Sequence, residues 1–358
     1  MLNRRGVCYD VGHVMGINWR PVFDARVVHR ELEIIRNDLH CNAVRIGGRD
    51  LKRVTTAAED ALAQGLEVWF SAVAWDRSPD DTLAYIEKAA VEAERLRLRW
   101  PDRVVFVIGQ EFTLFMQGIV PGKMLMNRVK NPAFRESLMS GRHNAPLNAF
   151  LARTAAAVRR VYNGPLTYAS LPFETVDWGP FDIVGIDHYR MGPAKERYVE
   201  MLEPLFATGK PVVNTEFGMG TYVGADEKGM LANLGGMVDV KTLFAHALPL
   251  VGRLVRPRLN GRYVRDEELQ ARALTERLRY STGLASMGLS SRPSSTRSIP
   301  MTKTLSTIST CPPRPWSRPS PVASTARPTR TCPGNPRHPS APWPTTTVPS
   351  GSTRPTYP

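Results

Sequence analysis

Short apolar runs alternate with longer amphipathic stretches through the first 280 residues of this 358-residue chain. Seven of the short runs are expected to be β-strands, because they are brief and rich in β-branched or aromatic residues. In chain order they are Gly6–Tyr9, Ala43–Ile46, Glu67–Ala72, Val104–Ile108, Leu166–Ser170, Ile183–Ile186 and Val212–Thr215. Between them, apolar residues recur at three-to-four spacing, which is typical of helices. This alternation predicts a parallel sheet with helices packed around it.

Local signals mark where several of the predicted helices begin. Asp24 and Asp50 have the side chains preferred at helix N-caps, and Ser78 is followed by Pro79 in the order favoured at a first helical turn. A further apolar helix is expected over Leu269–Leu278. Seven βα units of this spacing lack one strand of a closed (β/α)8 TIM barrel. The missing eighth strand is expected at about residues 285–297.

Composition changes abruptly where that eighth strand should lie. The last acidic residue is Glu276, and residues 281–358 hold 16 of the 30 prolines and 29 Ser or Thr. Such a segment cannot bury enough apolar surface to offset the entropy of ordering, so a disordered tail is expected. We therefore divide the chain into a barrel domain, residues 1–280, and a low-complexity basic tail, residues 281–358.

A shifted reading frame is a sharper explanation of the tail. If each true codon began at the third base of the codon used here, residues 280–291 would permit Phe-Asp-Gly-Ala-Gly-Val-Asp-Gly-Ala-Phe-Val. That is a helix end, a glycine turn and an apolar strand. The same frame permits acidic residues after Met301 and an amphipathic helix over residues 336–347. On this hypothesis the eighth βα unit is lost, and this form of the protein is expected to be unstable and inactive.

Charge and composition exclude several classes of function. The first 280 residues hold 38 Lys or Arg and 33 Asp or Glu, so most of the net charge of +14 comes from the tail. A nucleic-acid-binding domain is not indicated, although binding by the basic tail alone is an alternative. No apolar run is long enough to span a membrane, and no signal peptide is found. Cys8 and Cys41 lack metal-like spacing, which fits a cytoplasmic location.

Two predicted strands end in glutamate, which is the observation that most directly suggests a function. Glu111 follows the fourth strand and Glu216 follows the seventh. Catalytic side chains of barrels lie at the C-terminal ends of the strands, so these carboxylates are expected to face each other. A separation of about 5 Å would suit a retaining glycosidase and a wider one an inverting enzyme. Two solvated loop acids are the alternative.

This pattern resembles the clan A glycoside hydrolase barrels. The resemblance implies that Glu111 is the acid/base and Glu216 the nucleophile of an O-glycosyl hydrolase. Clan A enzymes usually carry Asn directly before the acid/base, where it contacts the 2-hydroxyl of the sugar. Here that position is Gln110, which departs from the pattern of active members.

A closer resemblance covers residues 4–280. It rests on four segments: Arg5–Gly12, Asp38–Ile46, Glu111–Phe115 and Tyr263–Glu267. These are similar to a group of actinobacterial proteins labelled abortive infection proteins, which carry a glycosidase-like barrel. The label implies phage defence. Because fold alone does not fix function, the alternative to catalysis is a non-catalytic carbohydrate-binding or defence-signalling protein on a retired hydrolase fold, which Gln110 favours.

Other polar and aromatic residues near strand ends are candidate substrate contacts. Arg45 could bind a carboxylate or a sugar hydroxyl, or form a salt bridge at the barrel mouth. Tyr189 could hydrogen-bond the nucleophile, and flat indole rings could stack on sugars or simply pack in the core. The remaining candidates are Tyr9, Asp10, Trp75, Trp178, Asp187 and His188. No metal-binding spacing is present, so no cofactor or metal is expected, and the oligomeric state stays open.

Overall fold

The structure is a computed structural model of the full chain. It describes residues 4–14, 17–18, 20–190, 195–228, 258–287 and 305–310, together with residues 192, 239, 241–242, 245 and 254–256. The strands and helices in these ranges belong to one compact unit, Met1–Pro313. The predicted domain boundary at residue 280 stays a prediction, because most of the tail lies outside the described residues.

The predicted α/β barrel is confirmed. Seven parallel strands nearly close a barrel, and each lies within two residues of its predicted bounds. A small antiparallel hairpin, His13–Val14 with Ile17–Asn18, follows the first strand. The barrel strands are β1 Arg5–Asp10, β2 Ala43–Gly48, β3 Glu67–Ala72, β4 Val104–Gln110, β5 Leu166–Ser170, β6 Val184–Asp187 and β7 Val212–Glu216.

The gap between β7 and β1 is bridged by a strand from the tail. Strand β8, Leu305–Thr310, pairs in parallel with both β1 and β7, which completes the circular strand order. The sequence placed the eighth strand at about residues 285–297, and most of that segment lies outside the described residues. The position expected to be empty is therefore occupied, by a segment further along the chain than predicted.

Helices cover the outside of the barrel. The three predicted N-caps are confirmed, since Asp24, Asp50 and Ser78 each accept a hydrogen bond from a backbone N–H of the first turn. The last helix is longer than predicted at both ends. In the described residues the helices are α1 Ala25–Glu33, extended by a π-helical turn Ile34–Asp38, α2 Leu51–Ala63, α3 Pro79–Arg99, α4 Phe112–Phe115, α5 Leu125–Lys130, α6 Pro132–Ser140, α7 Asn144–Arg159, α8 Tyr198–Phe206 and α9 Glu267–Met287.

Alternation along the strands separates two apolar layers. In β4, Val105 and Val107 belong to the cluster inside the barrel, whereas Val104, Phe106 and Ile108 belong to the larger cluster under the helices. A strand buried on both faces needs an uninterrupted apolar run, because successive side chains point to opposite faces. This accounts for the Val-Val-Phe-Val-Ile segment. In the described part of the chain, no helix is both long and apolar enough to cross a membrane.

A glycine at the end of β4 is required by the packing next to Glu111. A Cβ on Gly109 would lie 2.0 Å from the ring of Phe112. That ring is held between Phe150, at 5.2 Å between centroids, and Tyr168, also at 5.2 Å. Because Phe112 is buried and contacted on two sides, it cannot move aside for an added methyl group.

We expect Gly109→Ala to lower the free energy of unfolding by about 1–3 kcal/mol through overpacking. Gly47→Ala is the matched control, since its added Cβ would be 3.8 Å from the nearest atom, the carbonyl oxygen of Ser71. That change should alter stability by no more than about 0.5 kcal/mol. Urea unfolding of the two variants checks this, and equal stability losses would contradict it.

Candidate active site

The two glutamates lie at the C-terminal ends of β4 and β7, each directly after a one-residue bulge. In β4 the pairing with β5 shifts by one residue between Val107 and Gln110. In β7 the pairing with β6 shifts between Ile186 and Asp187, so that Asp187 pairs with Glu216. A bulge re-aims the side chains that follow it. It lets consecutive residues, rather than alternate ones, reach the barrel mouth.

Glu111 is held in an unusual backbone conformation. Its φ is +47°, in the left-handed region that non-glycine residues rarely adopt. The backbone N–H of Glu111 donates to the carbonyl of Ala169 at 2.9 Å, and its carbonyl accepts from the N–H groups of Leu114 and Phe115. The residue is therefore fixed between β5 and the short helix α4.

The surroundings of the Glu111 carboxyl favour its protonated form. The residue is only 3% exposed. Burial raises its pKa well above the usual value, the charges of Asp187, Glu216 and Glu174 raise it further, and Arg45 opposes them. A carboxyl that keeps its proton at neutral pH can act as a general acid.

Glu216 is in a different environment. Its side chain is 19% exposed, and its Oε2 lies 3.8 Å from Nη1 of Arg45. The phenol of Tyr189 donates a hydrogen bond to Oε1. Burial and the Glu216 charge raise the pKa of Tyr189 well above its usual value, so the phenol keeps the proton that it donates. Both contacts stabilise negative charge on Glu216 at an accessible position.

Arg45 is buried inside the barrel and bound by protein groups on several sides. Its Nη1 donates to Oδ1 of Asp187 at 3.2 Å and to the carbonyl of Thr215 at 3.3 Å, and its Nη2 donates to Oε1 of Gln110. Of the two roles that the sequence left open, the geometry therefore favours the salt bridge at the barrel mouth. The guanidinium links β2 to the polar ends of β4, β6 and β7.

Asp187 is the third carboxylate of this group and is 1% exposed. Its Oδ1 accepts from Oγ1 of Thr215 at 2.6 Å, whereas no described group hydrogen-bonds to its Oδ2. Burial raises the pKa of Asp187 to about 7, against the opposing charge of Arg45. Near neutral pH this carboxyl is therefore partly protonated.

Three of the predicted substrate contacts point elsewhere, and each is a correction. The phenol of Tyr9 donates to Glu31 of α1, so this side chain faces the helices rather than the mouth. Trp178 is 7% exposed in the core under the helices and packs against Phe181, which leaves no open ring face for a sugar. The ring of His188 is buried against α8, as described below.

Two further candidates stay at the mouth without a defined role. Oδ1 of Asp10 accepts from the N–H of Gly12 at 2.7 Å, which shapes the turn after β1. Trp75 is partly exposed and its ring lies 5.3 Å from that of Phe115. Since Phe115 belongs to the helix that directly follows Glu111, Trp75 is the one predicted indole that stays near the site.

Sequence reasoning gave Cys8 no place in the site and missed Tyr168 and Glu174. The Sγ of Cys8 donates to the carbonyl of Thr215 at 3.5 Å, and burial and the Glu216 and Asp187 charges raise the pKa of its thiol although Arg45 opposes them. Strand alternation could have placed Cys8 inside the barrel, in phase with the inward residues of β1. Glu174 lies in a loop with no periodic pattern, so no sequence signal marks it.

Among the described residues no group of three or more His, Cys, Asp or Glu could hold a metal ion.

The fold is similar to those of solved glycoside hydrolases. A GH113 beta-1,4-mannanase matches with a TM-score of 0.50 and 11% identity, over 86% of this chain and 89% of that one. A complex of a GH113 beta-1,4-mannanase matches with a TM-score of 0.48 and 12% identity, over 87% and 89%. A beta-glucuronidase from Ruminococcus gnavus gives 0.47 and 13%, over 79% of this chain and 41% of that one. Neither a protein-family model nor a curated protein matches the chain.

These comparisons establish the fold and no more. The protein has an α/β TIM barrel, a fold that is similar to that of a GH113 beta-1,4-mannanase. The first of these mannanase structures carries that conclusion, because its TM-score reaches 0.50. The resemblance to abortive infection proteins is not tested by any of them.

His188 generates a prediction about stability. Its Nε2 donates to the carbonyl of Tyr198 at 3.2 Å and its ring stacks on that of Tyr198 at 4.4 Å. Burial lowers its pKa from 6.5 to about 4, so the folded protein holds a neutral imidazole. Between these pH values the imidazole of His188 is protonated in the unfolded chain but neutral in the folded protein. Stability is therefore lost as pH falls from 6.5 to 4, by up to about 3 kcal/mol from this residue.

We expect His188→Phe, which keeps the stacking on Tyr198, to flatten that loss in urea unfolding between pH 6.5 and 4. His29→Asn is a control of opposite sign. Asp60, by its hydrogen bond and charge, raises the pKa of His29, so His29 stabilises the fold on the acid side and its removal should steepen the loss. If the free energy of unfolding fell equally steeply with pH in the wild type and in His188→Phe, the lowered pKa of His188 would be contradicted.

Proposed function

We propose that the protein is a retaining O-glycosyl hydrolase in which Glu216 is the nucleophile and Glu111 the acid/base. The observation that carries the proposal is the contrast between the two carboxyls. Glu111 is buried with its pKa raised, whereas Glu216 is partly exposed beside Tyr189 and Arg45. A buried carboxyl that favours its proton, beside a more exposed carboxyl that contacts a hydrogen-bond donor and a cation, suits the roles of acid and nucleophile.

The reaction divides into two displacements. In the first, an oxygen of Glu216 forms a bond to the anomeric carbon while the bond to the leaving oxygen breaks and that oxygen takes the proton of Glu111. In the second, water attacks the anomeric carbon, gives its proton to Glu111, and releases Glu216 as a carboxylate. Tyr189 and Arg45 stabilise the charge that returns to Glu216.

The charge of the site favours a neutral glycoside. Asp187 and Glu216 lie beside the guanidinium of Arg45, whose Nη1 and Nη2 both donate to protein acceptors. A uronic acid would bring a further carboxylate next to these groups at a Coulombic cost. We therefore propose substrates whose cleaved sugar carries no negative charge.

We expect Glu216→Gln to reduce turnover of an aryl glycoside by roughly 10³-fold or more, since the amide is no nucleophile. The substrate is chosen from a panel of neutral aryl glycosides and an aryl glucuronide, and the anomer formed first is read by NMR. Glu203→Gln, which removes an exposed carboxylate on α8, is the matched control and should keep the wild-type rate.

Azide separates the two roles. In Glu216→Ala, azide should replace the nucleophile and give a glycosyl azide of inverted configuration, whereas in Glu111→Ala it should replace water and give the retained azide. A wild-type rate in Glu216→Gln would refute the assignment. An inverted first product in the wild type would refute retention.

A non-catalytic carbohydrate-binding protein is the second candidate, and it is favoured by the contact of Gln110. Gln110 stands where clan A enzymes carry Asn, and its Oε1 accepts a hydrogen bond from Arg45, so the protein itself engages this oxygen. Stabilisation by oligosaccharides in a thermal shift screen, without hydrolysis of any of them, would support this candidate. A role in phage defence rests on the resemblance alone; equal plaque counts with and without the expressed chain would contradict it.

We further propose that the tail arises from a shifted frame, with Leu305–Thr310 in the place of the lost eighth strand of the active barrel, and that the protein is cytoplasmic. The absence of acidic residues after Glu276 supports the first proposal. Coding DNA that has no open reading frame for the residues which the shifted frame permits would refute it. Cys8, which forms no disulfide, supports the second. Cell fractionation that finds the chain outside the cytoplasm would refute it.

A further inference from the structure

Three successive backbone N–H groups at Glu111 are bound by β5 and the loop that follows it. The N–H of Glu111 donates to the carbonyl of Ala169 at 2.9 Å, that of Phe112 to Oη of Tyr168 at 2.7 Å, and that of Thr113 to Oε1 of Glu174 at 3.1 Å. Together they fix the direction of the chain on both sides of the Glu111 side chain.

Glu174 is the endpoint of this set of hydrogen bonds. Its Oε2 accepts from Oη of Tyr168 at 3.0 Å and from the N–H of Leu171 at 2.8 Å. Tyr168 thus accepts from Phe112 and donates to Glu174, so two of the three N–H groups depend on this carboxylate directly or through one phenol. Glu174 is 8% exposed, and a buried carboxylate is stable only where such donors surround it.

These contacts explain how Glu111 keeps its left-handed backbone. A non-glycine residue with φ near +47° is strained, and it persists only where the surroundings over-determine it. Here β5 and its loop supply the constraint, with the stacked rings of Phe112 and Tyr168 beside it. Without Glu174, the segment that aims the Glu111 carboxyl would lose its attachment to that loop.

Glu174 also acts on Glu111 through its charge. Four charged groups from different elements face the Glu111 carboxyl: Asp187 from β6, Glu216 from β7, Glu174 from the loop after β5 and Arg45 from β2. The three carboxylates favour the protonated acid and Arg45 opposes it. Asp187 and Glu216 end β6 and β7, whereas Glu174 binds the backbone of the segment that follows Glu111.

We propose that Glu174 is a positioning residue for Glu111, which fixes its orientation through Thr113 and Tyr168 and helps to keep it protonated. The proposal rests on the role of Glu111 as general acid. Its two parts predict two effects that can be measured separately, one on rate and one on the titration of Glu111.

We expect Glu174→Gln to lower kcat/KM on the cleaved aryl glycoside by roughly 10- to 100-fold, because the amide turns an N–H group toward donors and misplaces Glu111. The alkaline limb of the pH profile should move to lower pH, since a negative charge near the acid has been removed. Asp177→Asn is the matched control. It removes an exposed carboxylate from the same loop and keeps the oxygen that binds the N–H of Gly179, so rate and limb should stay unchanged.

Titration of the Glu111 carboxyl carbon by NMR in the full-length chain gives a readout that needs no turnover. Its resonance is identified by its loss in Glu111→Gln. A lower titration midpoint in Glu174→Gln supports the proposal even if the wild type hydrolyses nothing, which separates it from the proposed function. A midpoint and a limb equal to those of the wild type and Asp177→Asn would overturn it, whatever happens to the rate.

If Glu174→Gln does not fold, Tyr168→Phe tests the positioning part. This variant keeps the ring stacked on Phe112 and the charge of Glu174, but removes the phenol that joins them. We expect a lower kcat with a smaller movement of the alkaline limb than in Glu174→Gln. An unchanged kcat in Tyr168→Phe would overturn the proposal.

Discussion

The polar end of the barrel depends on one buried cation. Arg45 is 3% exposed and lies among Asp187, Glu216 and Glu111. Ions removed from water cost several kcal/mol each unless they are paired and hydrogen-bonded. Arg45 meets that condition for β6 and β7 through Asp187, Thr215 and Glu216, and it acts on Glu111 only weakly against the carboxylates around it. The barrel mouth therefore stabilises negative charge beside Arg45, at β6 and β7, and a protonated carboxyl at Glu111.

The backbone makes this division possible. Strand alternation would send every second residue of β4 and β7 toward the helices. A one-residue bulge in each strand instead brings Gln110 beside Arg45, and Thr215 and Glu216 beside Asp187. In β4 the left-handed turn at Glu111 adds a second departure from regular geometry. These irregularities lie only at the carboxyl ends of the strands, below which the barrel interior is filled by apolar side chains.

Most of the scaffold followed from the sequence, because its signals are local. Strand bounds were predictable from apolar runs such as Val104–Ile108, and helix starts from the capping side chains of Asp24, Asp50 and Ser78. The direction of individual side chains was not. Tyr9 and Trp178 lie near strand ends as expected, yet one binds α1 and the other packs in the core. Which face a residue takes depends on register and loop path, and neither can be read from the identity of the residue.

The sequence by itself determined that the chain forms a barrel of alternating strands and helices, that Glu111 and Glu216 end its fourth and seventh strands, and that its composition breaks after Glu276. Tertiary structure alone decided that Arg45 binds Asp187 and Gln110, that His188 turns into the core, and that Glu174 reaches the segment after Glu111. It also brought residues 305–310 between β7 and β1. The physical reason is that capping and periodicity act within a few residues, whereas buried charges and strand pairing join residues far apart in the chain.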